Sequence, residues 1–162
     1  DIEGLWPFNF CLGEVQCALG SKLMERLPTI NKERKERALR FIDAMSGFPE
    51  LVFQKVPDGC EHSWHLLAAQ YDGKEYGKSR DNLIEILNNK YGVRTVVQYY
   101  PLYRYPLFKK AGFGKANCPE TDIFFDNMVS FPFQHWMPES EFTQMILRVS
   151  HALSELRNRN EK

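Results

Sequence analysis

A long run of helical periodicity near the start of the chain constrains its fold more than any other feature. From about Gly13 to Ser46, apolar residues recur every three to four positions, which is the pattern of a helix with one apolar face. Pro28 lies within this run. Because proline lacks a backbone N–H and its ring clashes with the preceding turn, we expect the helix to break or kink there. Gly47 and Pro49 then predict its end.

Short strands and helices are predicted for the rest of the chain. Runs of β-branched and aromatic residues indicate strands, and apolar residues at helical spacing indicate helices. The predicted strands are Leu51–Val56, His62–Tyr71, Val93–Tyr99 and Val129–Phe133. The predicted helices are Lys78–Gly92, Thr121–Met128 and Ser140–Arg157, and an irregular loop is expected over Tyr100–Glu120. This order indicates one small α/β domain.

The composition argues against several classes of protein. The 162 residues suit a single domain, and the 21 basic and 21 acidic residues cancel, which disfavours a nucleic-acid or anionic-membrane partner. No apolar run approaches the roughly 20 residues of a membrane-spanning helix. The four cysteines show no C-x-x-C spacing, so we expect free thiols and a cytoplasmic location.

Asn9 is the first candidate site residue. It stands between Phe8 and Phe10, just ahead of the predicted helix. An amide in such an apolar setting needs hydrogen-bond partners, since leaving it unpaired costs roughly 1–3 kcal/mol. We therefore expect Asn9 to act as a polar anchor for a ligand.

The segment CEHSWH holds the residues best suited to bind a metal, which are Cys60, His62 and His65. A tetrahedral zinc site needs a fourth ligand, and Cys118 would have to supply it alone. We therefore favour a turn followed by a strand, with His65 facing a polar pocket, and expect no metal site.

Four tyrosines crowd the expected loop between Tyr99 and Tyr105, together with Gln98 and Arg104. Aromatic rings and amides around prolines suit a pocket for a sugar or another polyol, through stacking and hydrogen bonds. The same composition also suits a packed interface loop. The sequence leaves both interpretations open.

Several segments together resemble one protein family. These are PFNFCLGEVQCALGSKL near the start, then HSWHLL, then QYYPLYRYPLF, and finally FPF. In order and spacing they are similar to the C-terminal portion of the DegT/StrS family of pyridoxal-phosphate-dependent sugar aminotransferases. The resemblance implies an α+β small domain with a long N-terminal helix and a small, mostly antiparallel sheet covered by helices. It implies one C-terminal domain over 1–162, with 1–30 as the end of the large domain and the interdomain helix.

The resemblance also implies roles for individual residues. Asn9 would reach across a dimer interface to the cofactor phosphate, and the substrate would contact His65, Gln98, Tyr99 and Tyr103. The implied partners are a second copy of the chain, an amino-acid donor, and a nucleotide-linked keto-sugar or a cyclitol. The sequence departs from the family pattern at Cys11, which replaces an arginine. Gln98 and Tyr103 replace two histidines.

Transamination through pyridoxal phosphate needs a lysine that forms a Schiff base with the cofactor. In the family this lysine precedes the Asn9 motif, but none of the eight residues before Asn9 is a lysine. We therefore expect this chain not to transaminate alone. A non-catalytic binding module of the same fold, and a family dehydratase in which histidine replaces the lysine, are the alternatives.

A fragment of such an enzyme should also expose surface that the rest of the enzyme normally covers. We expect an exposed apolar patch formed by Phe8, Phe10, Leu12 and Val15.

Overall fold

The fold is described from a computed structural model, for residues 11–158. Its helices and strands follow one another along the chain, with the longer connections over residues 54–66 and 90–105. In order they are α1 (Glu14–Ala44), β1 (Leu51–Phe53), β2 (Leu67–Tyr71), α2 (Arg80–Asn89), α3 (Pro106–Lys110), α4 (Pro119–Asn127), β3 (Met128–Phe131) and α5 (Glu139–Asn158).

The first helix confirms the prediction from periodicity, with one correction. α1 runs without interruption through Pro28, so the helix does not break there. Proline removes one hydrogen bond, and a helix this long keeps those of the turns on both sides. The first buried residue of α1 is Ala38, so only about the last quarter of the helix enters the core.

A three-stranded antiparallel sheet forms the centre of the domain, in the order β1-β2-β3. Leu51 pairs with Tyr71, and Leu67 pairs with Phe131. Leu67, Ala69 and Tyr71 are buried while the residues between them are partly exposed, as expected for a strand with one face on a core. The predicted small antiparallel sheet covered by helices is confirmed.

Three of the predicted strands are wrong in extent or kind. The first, expected over Leu51–Val56, ends at Phe53. His62–Leu66 forms a turn rather than the start of β2, because the Trp64 N–H bonds to His62 Nδ1 at 2.8 Å and Trp64 has a φ of 50°. Residues 93–99 form no strand. They make a single bridge, Val96 to Ser130, through backbone bonds of 3.1 and 2.9 Å.

Side chains interrupt the ladder on both sides of that bridge. The Thr95 N–H donates to Asn88 Oδ1 at 3.0 Å, and the Gln98 N–H donates to Met128 Sδ at 3.1 Å. Both N–H groups are therefore taken before a neighbouring strand can use them.

The core lies between the sheet, the end of α1 and one face of α5. Phe41 of α1 contacts Phe131 of β3 with 4.9 Å between ring centroids, and Phe53 of β1 at 6.0 Å. The buried residues of α5 are Phe142, Met145, Val149, Ala152, Leu153 and Leu156. The predicted apolar stripe of the last helix is largely confirmed, although Ile146 is only partly buried.

A partly buried ion pair links the end of α5 to the residue before β1. Arg157 donates from Nε to Glu50 Oε1 at 2.8 Å and from Nη2 to Glu50 Oε2 at 2.6 Å. The same guanidinium bonds to the carbonyl of Gly47 at 2.9 Å. Nearby, burial raises the pKa of Tyr71 to about 12. Arg157 thus joins the end of α5 to the segment between α1 and β1 through charge-assisted hydrogen bonds.

Candidate functional site

A cavity of about 380 Å³ opens where β2 begins and β3 ends. It brings together His65 and Gln98, two residues that the sequence predicted for a site. Its lining consists of His65, Leu66, Arg94, Val96, Gln98, Ser130, Phe131, Pro132, Phe133 and Gln134. The cavity therefore combines an apolar floor with several polar side chains, which is the usual form of a small-molecule site.

Arg34 of α1 fixes the turn that presents His65. Its Nη1 donates to the carbonyl oxygens of Trp64 and His65, each at 3.0 Å. Its guanidinium also lies 5.4 Å from the centre of the Phe133 ring, and partial burial lowers its pKa. Trp64, only 5% exposed, anchors the same turn in the core. His65 itself is exposed at the rim of the cavity.

The bridge to β3 positions Gln98. Val96 pairs with Ser130. Two residues after Val96, the Gln98 N–H donates to Met128 Sδ. The side-chain amide of Gln98 makes no hydrogen bond within residues 11–158. It is therefore available to both donate to and accept from a ligand hydroxyl.

The remaining polar groups of the cavity complete its chemistry. Arg94 supplies a positive charge, and Arg37 holds the Gln134 carbonyl at 2.9 Å. Sequence reasoning missed Arg94 and Gln134. Arg94 could have been noticed as the single charge in the otherwise apolar run VRTVV.

Tyr99 and Tyr103 do not line this cavity. Tyr99 is 68% exposed. The Tyr103 hydroxyl donates to the carboxylate of Asp122, which Arg104 also binds. The hydrogen bond to Asp122 raises the pKa of Tyr103, and the same bond lowers the pKa of Asp122.

Aromatic packing also ties this loop to α4. Tyr100 contacts Tyr105 at 4.9 Å and Phe125 at 5.3 Å between ring centroids, both edge to face. Within the described part of the chain, Tyr100 and Tyr103 pack this segment against α4, while Tyr99 stays exposed. The irregular loop expected over Tyr100–Glu120 is wrong in part, because α3 (Pro106–Lys110) forms within it. The substrate contacts expected for Tyr99 and Tyr103 stay predictions.

Other candidate residues stand as follows. Asn9 lies outside the described residues, and its role stays a prediction. Cys60 is exposed, and His62 bonds to the Trp64 N–H and to the Gln54 side chain. No group of three or more His, Cys, Asp or Glu side chains suited to a metal is found within residues 11–158. In that range, no helix is both long and apolar enough to cross a membrane.

The comparisons with known proteins agree with this fold. Residues 3–150 match the model of the DegT/DnrJ/EryC1/StrS aminotransferase family. The chain belongs to this family, whose members are pyridoxal-phosphate-dependent aminotransferases.

A curated relative is the "Spore coat polysaccharide biosynthesis protein SpsC" of Bacillus subtilis (strain 168). It is 30% identical over 134 residues, which make up 82% of this chain and 34% of SpsC. The chain thus spans about a third of that relative's length.

Solved structures share the fold at lower sequence identity. The aminotransferase from Psychrobacter cryohalolentis superposes with a TM-score of 0.82 at 18% identity, covering 96% of this chain and 42% of that one. The PLP-form of Spr1654 from Streptococcus pneumoniae has a TM-score of 0.73 at 21% identity, covering 90% of this chain and 36% of that one. In both, this chain matches less than half of the larger protein.

Proposed function

We propose that this chain is the C-terminal part of a pyridoxal-phosphate-dependent aminotransferase that acts on a nucleotide-linked keto-sugar or a cyclitol. An amino acid would be the donor. The observation that carries the proposal is the family match over residues 3–150 in a chain that spans only 34% of SpsC. The name of that relative, a polysaccharide biosynthesis protein, supports a sugar substrate.

The cavity supports a role in substrate binding. Hydroxyl-rich ligands need several donors and acceptors over an apolar surface. Gln98 offers both kinds of group, His65 offers an imidazole at the rim, and Phe133 lies in the wall. These side chains would bind and orient the sugar while the reacting carbonyl lies elsewhere in the enzyme.

The lysines of this chain do not fit covalent cofactor binding. None lines the cavity, and every lysine within residues 11–158 other than Lys78 is exposed. Lys78 lies beside α2, in a different cleft with Asn82 and Glu85. A Schiff-base lysine needs a desolvated amine, which solvated side chains do not provide. When bound, pyridoxal phosphate supplies the electron sink for amino transfer, and we propose that another part of the enzyme attaches it.

The start of the chain supports a contact with a second subunit. Val15, Leu19 and Leu23 are exposed along one face of α1, and Leu12 is exposed just before the helix begins. The exposure expected for Leu12 and Val15 is confirmed, while Phe8 and Phe10 lie outside the described residues. We propose that this face meets the rest of the enzyme or its dimer partner, where Asn9 would contact the cofactor phosphate.

The test compares this chain with the longer polypeptide to which we assign it. Each is purified with pyridoxal phosphate, treated with borohydride, and assayed with a keto-sugar and glutamate. We expect cofactor fixation and amino transfer for the longer polypeptide and neither for the chain alone, because only the former has the required lysine. The longer polypeptide with that lysine replaced is the matched control. Amino transfer by the chain alone would overturn the proposal.

A further inference from the structure

A second cavity, of about 460 Å³, lies directly beside the first. Arg94 and Pro132 line both cavities, so the two adjoin at these residues. The second cavity extends from the segment after α2, beginning at Gly92, to the first three turns of α5. Nothing in the proposed sugar contacts requires it.

Two guanidinium groups without partners face this cavity. Arg94 and Arg148 line it, and neither guanidinium makes a hydrogen bond, salt bridge or ring contact within residues 11–158. Arg148 Nη1 lies 3.8 Å from the position that a Cβ atom on Gly92 would occupy. Since Gly92 is two residues before Arg94, the two basic side chains belong to the same wall.

Most other arginines of the described chain are engaged. The engaged set comprises Arg34, Arg37, Arg40, Arg80, Arg104 and Arg157. Arg26 also has no partner among residues 11–158, but it lines neither of these cavities. Arg94 and Arg148 thus differ from the engaged set in being unpaired, and from Arg26 in lining this open cavity.

The other groups in this cavity fit an anion. Glu141 is the only acid in its lining, so two positive charges face one negative charge. Ser140 and Gln144 add neutral hydrogen-bonding groups. A guanidinium binds phosphate oxygens through two parallel N–H bonds, which a carboxylate-poor cavity with two arginines allows.

We propose that this second cavity is an anion subsite that binds a phosphate or diphosphate group through Arg94 and Arg148. Arg94 lies between the two cavities, so one ligand can place its sugar at His65 and Gln98 and its phosphate at Arg94. This link to the sugar rests on the proposed function, whereas anion binding by the two arginines does not.

The test is a calorimetric titration of the whole chain with inorganic pyrophosphate at low salt. We expect Arg94→Gln and Arg148→Gln together to weaken binding by about tenfold or more, because two charge-assisted contacts are lost. Arg26→Gln is the matched control and should bind as the unchanged chain does. Circular dichroism confirms that each variant folds, which surface arginine substitutions should permit.

Further ligands separate a free anion from a nucleotide-linked one. UDP-glucose should bind more tightly than pyrophosphate, and His65→Ala with Gln98→Ala should remove that difference while leaving pyrophosphate binding unchanged. Equal affinity for the two ligands would overturn the link to the sugar cavity. Unchanged pyrophosphate binding by the double arginine variant, or equal loss in Arg26→Gln, would overturn the anion subsite itself. Neither result depends on whether the longer polypeptide transfers amino groups.

Discussion

At the scale of single residues, Arg34 shows how a charged side chain on a helix can determine the direction of a site loop. Two adjacent carbonyl oxygens, those of Trp64 and His65, accept from the same Nη1 atom. A carbonyl pair in a turn has no strand partner, so a charged donor from a neighbouring element takes that place. The position of His65 therefore depends on a residue in α1.

We predict that Arg34→Met lowers the free energy of unfolding by about 1–3 kcal/mol, since one partly buried and one exposed carbonyl lose a charged donor while the apolar stem is kept. Urea denaturation measures the change. Arg26→Met is the matched control, because Arg26 is exposed and unpaired within residues 11–158, and it should stay within about 0.5 kcal/mol of the original. Equal stability of the two variants would show that Arg34 does not hold the turn.

At the scale of elements, the packed loop between Gln98 and α4 depends on one carboxylate. Asp122 of α4 accepts from Tyr103 and from Arg104, and a second acid, Asp126, lies 3.7 Å from Arg104. The hydrogen bond from Tyr103 lowers the pKa of Asp122 below its ordinary value of 3.8. The charged form of Asp122 is thus favoured by folding.

The lowered pKa of Asp122 predicts that the stability of the folded chain decreases at low pH. Because the pKa of Asp122 is lower in the folded chain than in the unfolded chain, its contribution to stability is present above the unfolded pKa and is lost as the pH falls through the folded pKa. Asp122→Asn should therefore flatten the curve of melting temperature against pH on the acid side of the ordinary aspartate pKa. Asp43→Asn is the control, since Asp43 is exposed on α1 and has no side-chain partner within residues 11–158. Parallel curves for Asp122→Asn and the original chain would contradict this role.

Periodicity predicted most of the elements correctly, and the errors have local causes. α1, α2, α4 and α5 were expected close to their observed bounds, because an apolar stripe is visible in the sequence. Residues 93–99 have the composition of a strand, yet Asn88 and Met128 take the neighbouring N–H groups. These hydrogen bonds to side chains depend on contacts in the folded chain, which composition does not reveal.

The sequence predicted individual residues of the candidate site, but not that they line one cavity. His65 and Gln98 were identified by resemblance, but their meeting in one cavity follows from the register of β2 against β3 and from the Val96 bridge. Arg94 was missed because one charge in an apolar run is a weak signal. Its importance depends on the two cavities that meet at its side chain.

At the scale of the whole molecule, the start of α1 exposes an apolar face that the rest of the described chain does not cover. Val15 is 80% exposed, and Leu19 and Leu23 continue the same face one and two turns later. Large exposed apolar faces mark surfaces that contact other protein.

We predict that the chain alone associates with itself or binds a hydrophobic dye at high concentration, because association removes this face from water. Leu19→Lys with Leu23→Lys should abolish both effects, as measured by sedimentation and dye fluorescence. Leu147→Lys is the control, since Leu147 is exposed on α5, away from this face. A chain that stays monomeric and binds no dye would contradict the prediction.

The short first strand has a consequence for how such association can proceed. β1 has only three residues and lies at one end of the strand order, so within residues 11–158 its outer side has no neighbouring strand. An edge strand of three residues presents few backbone N–H and C=O groups with which a strand of another chain could pair. Copies of the chain should therefore meet helix against helix, as reversible and soluble assemblies, and should resist growth into fibrils.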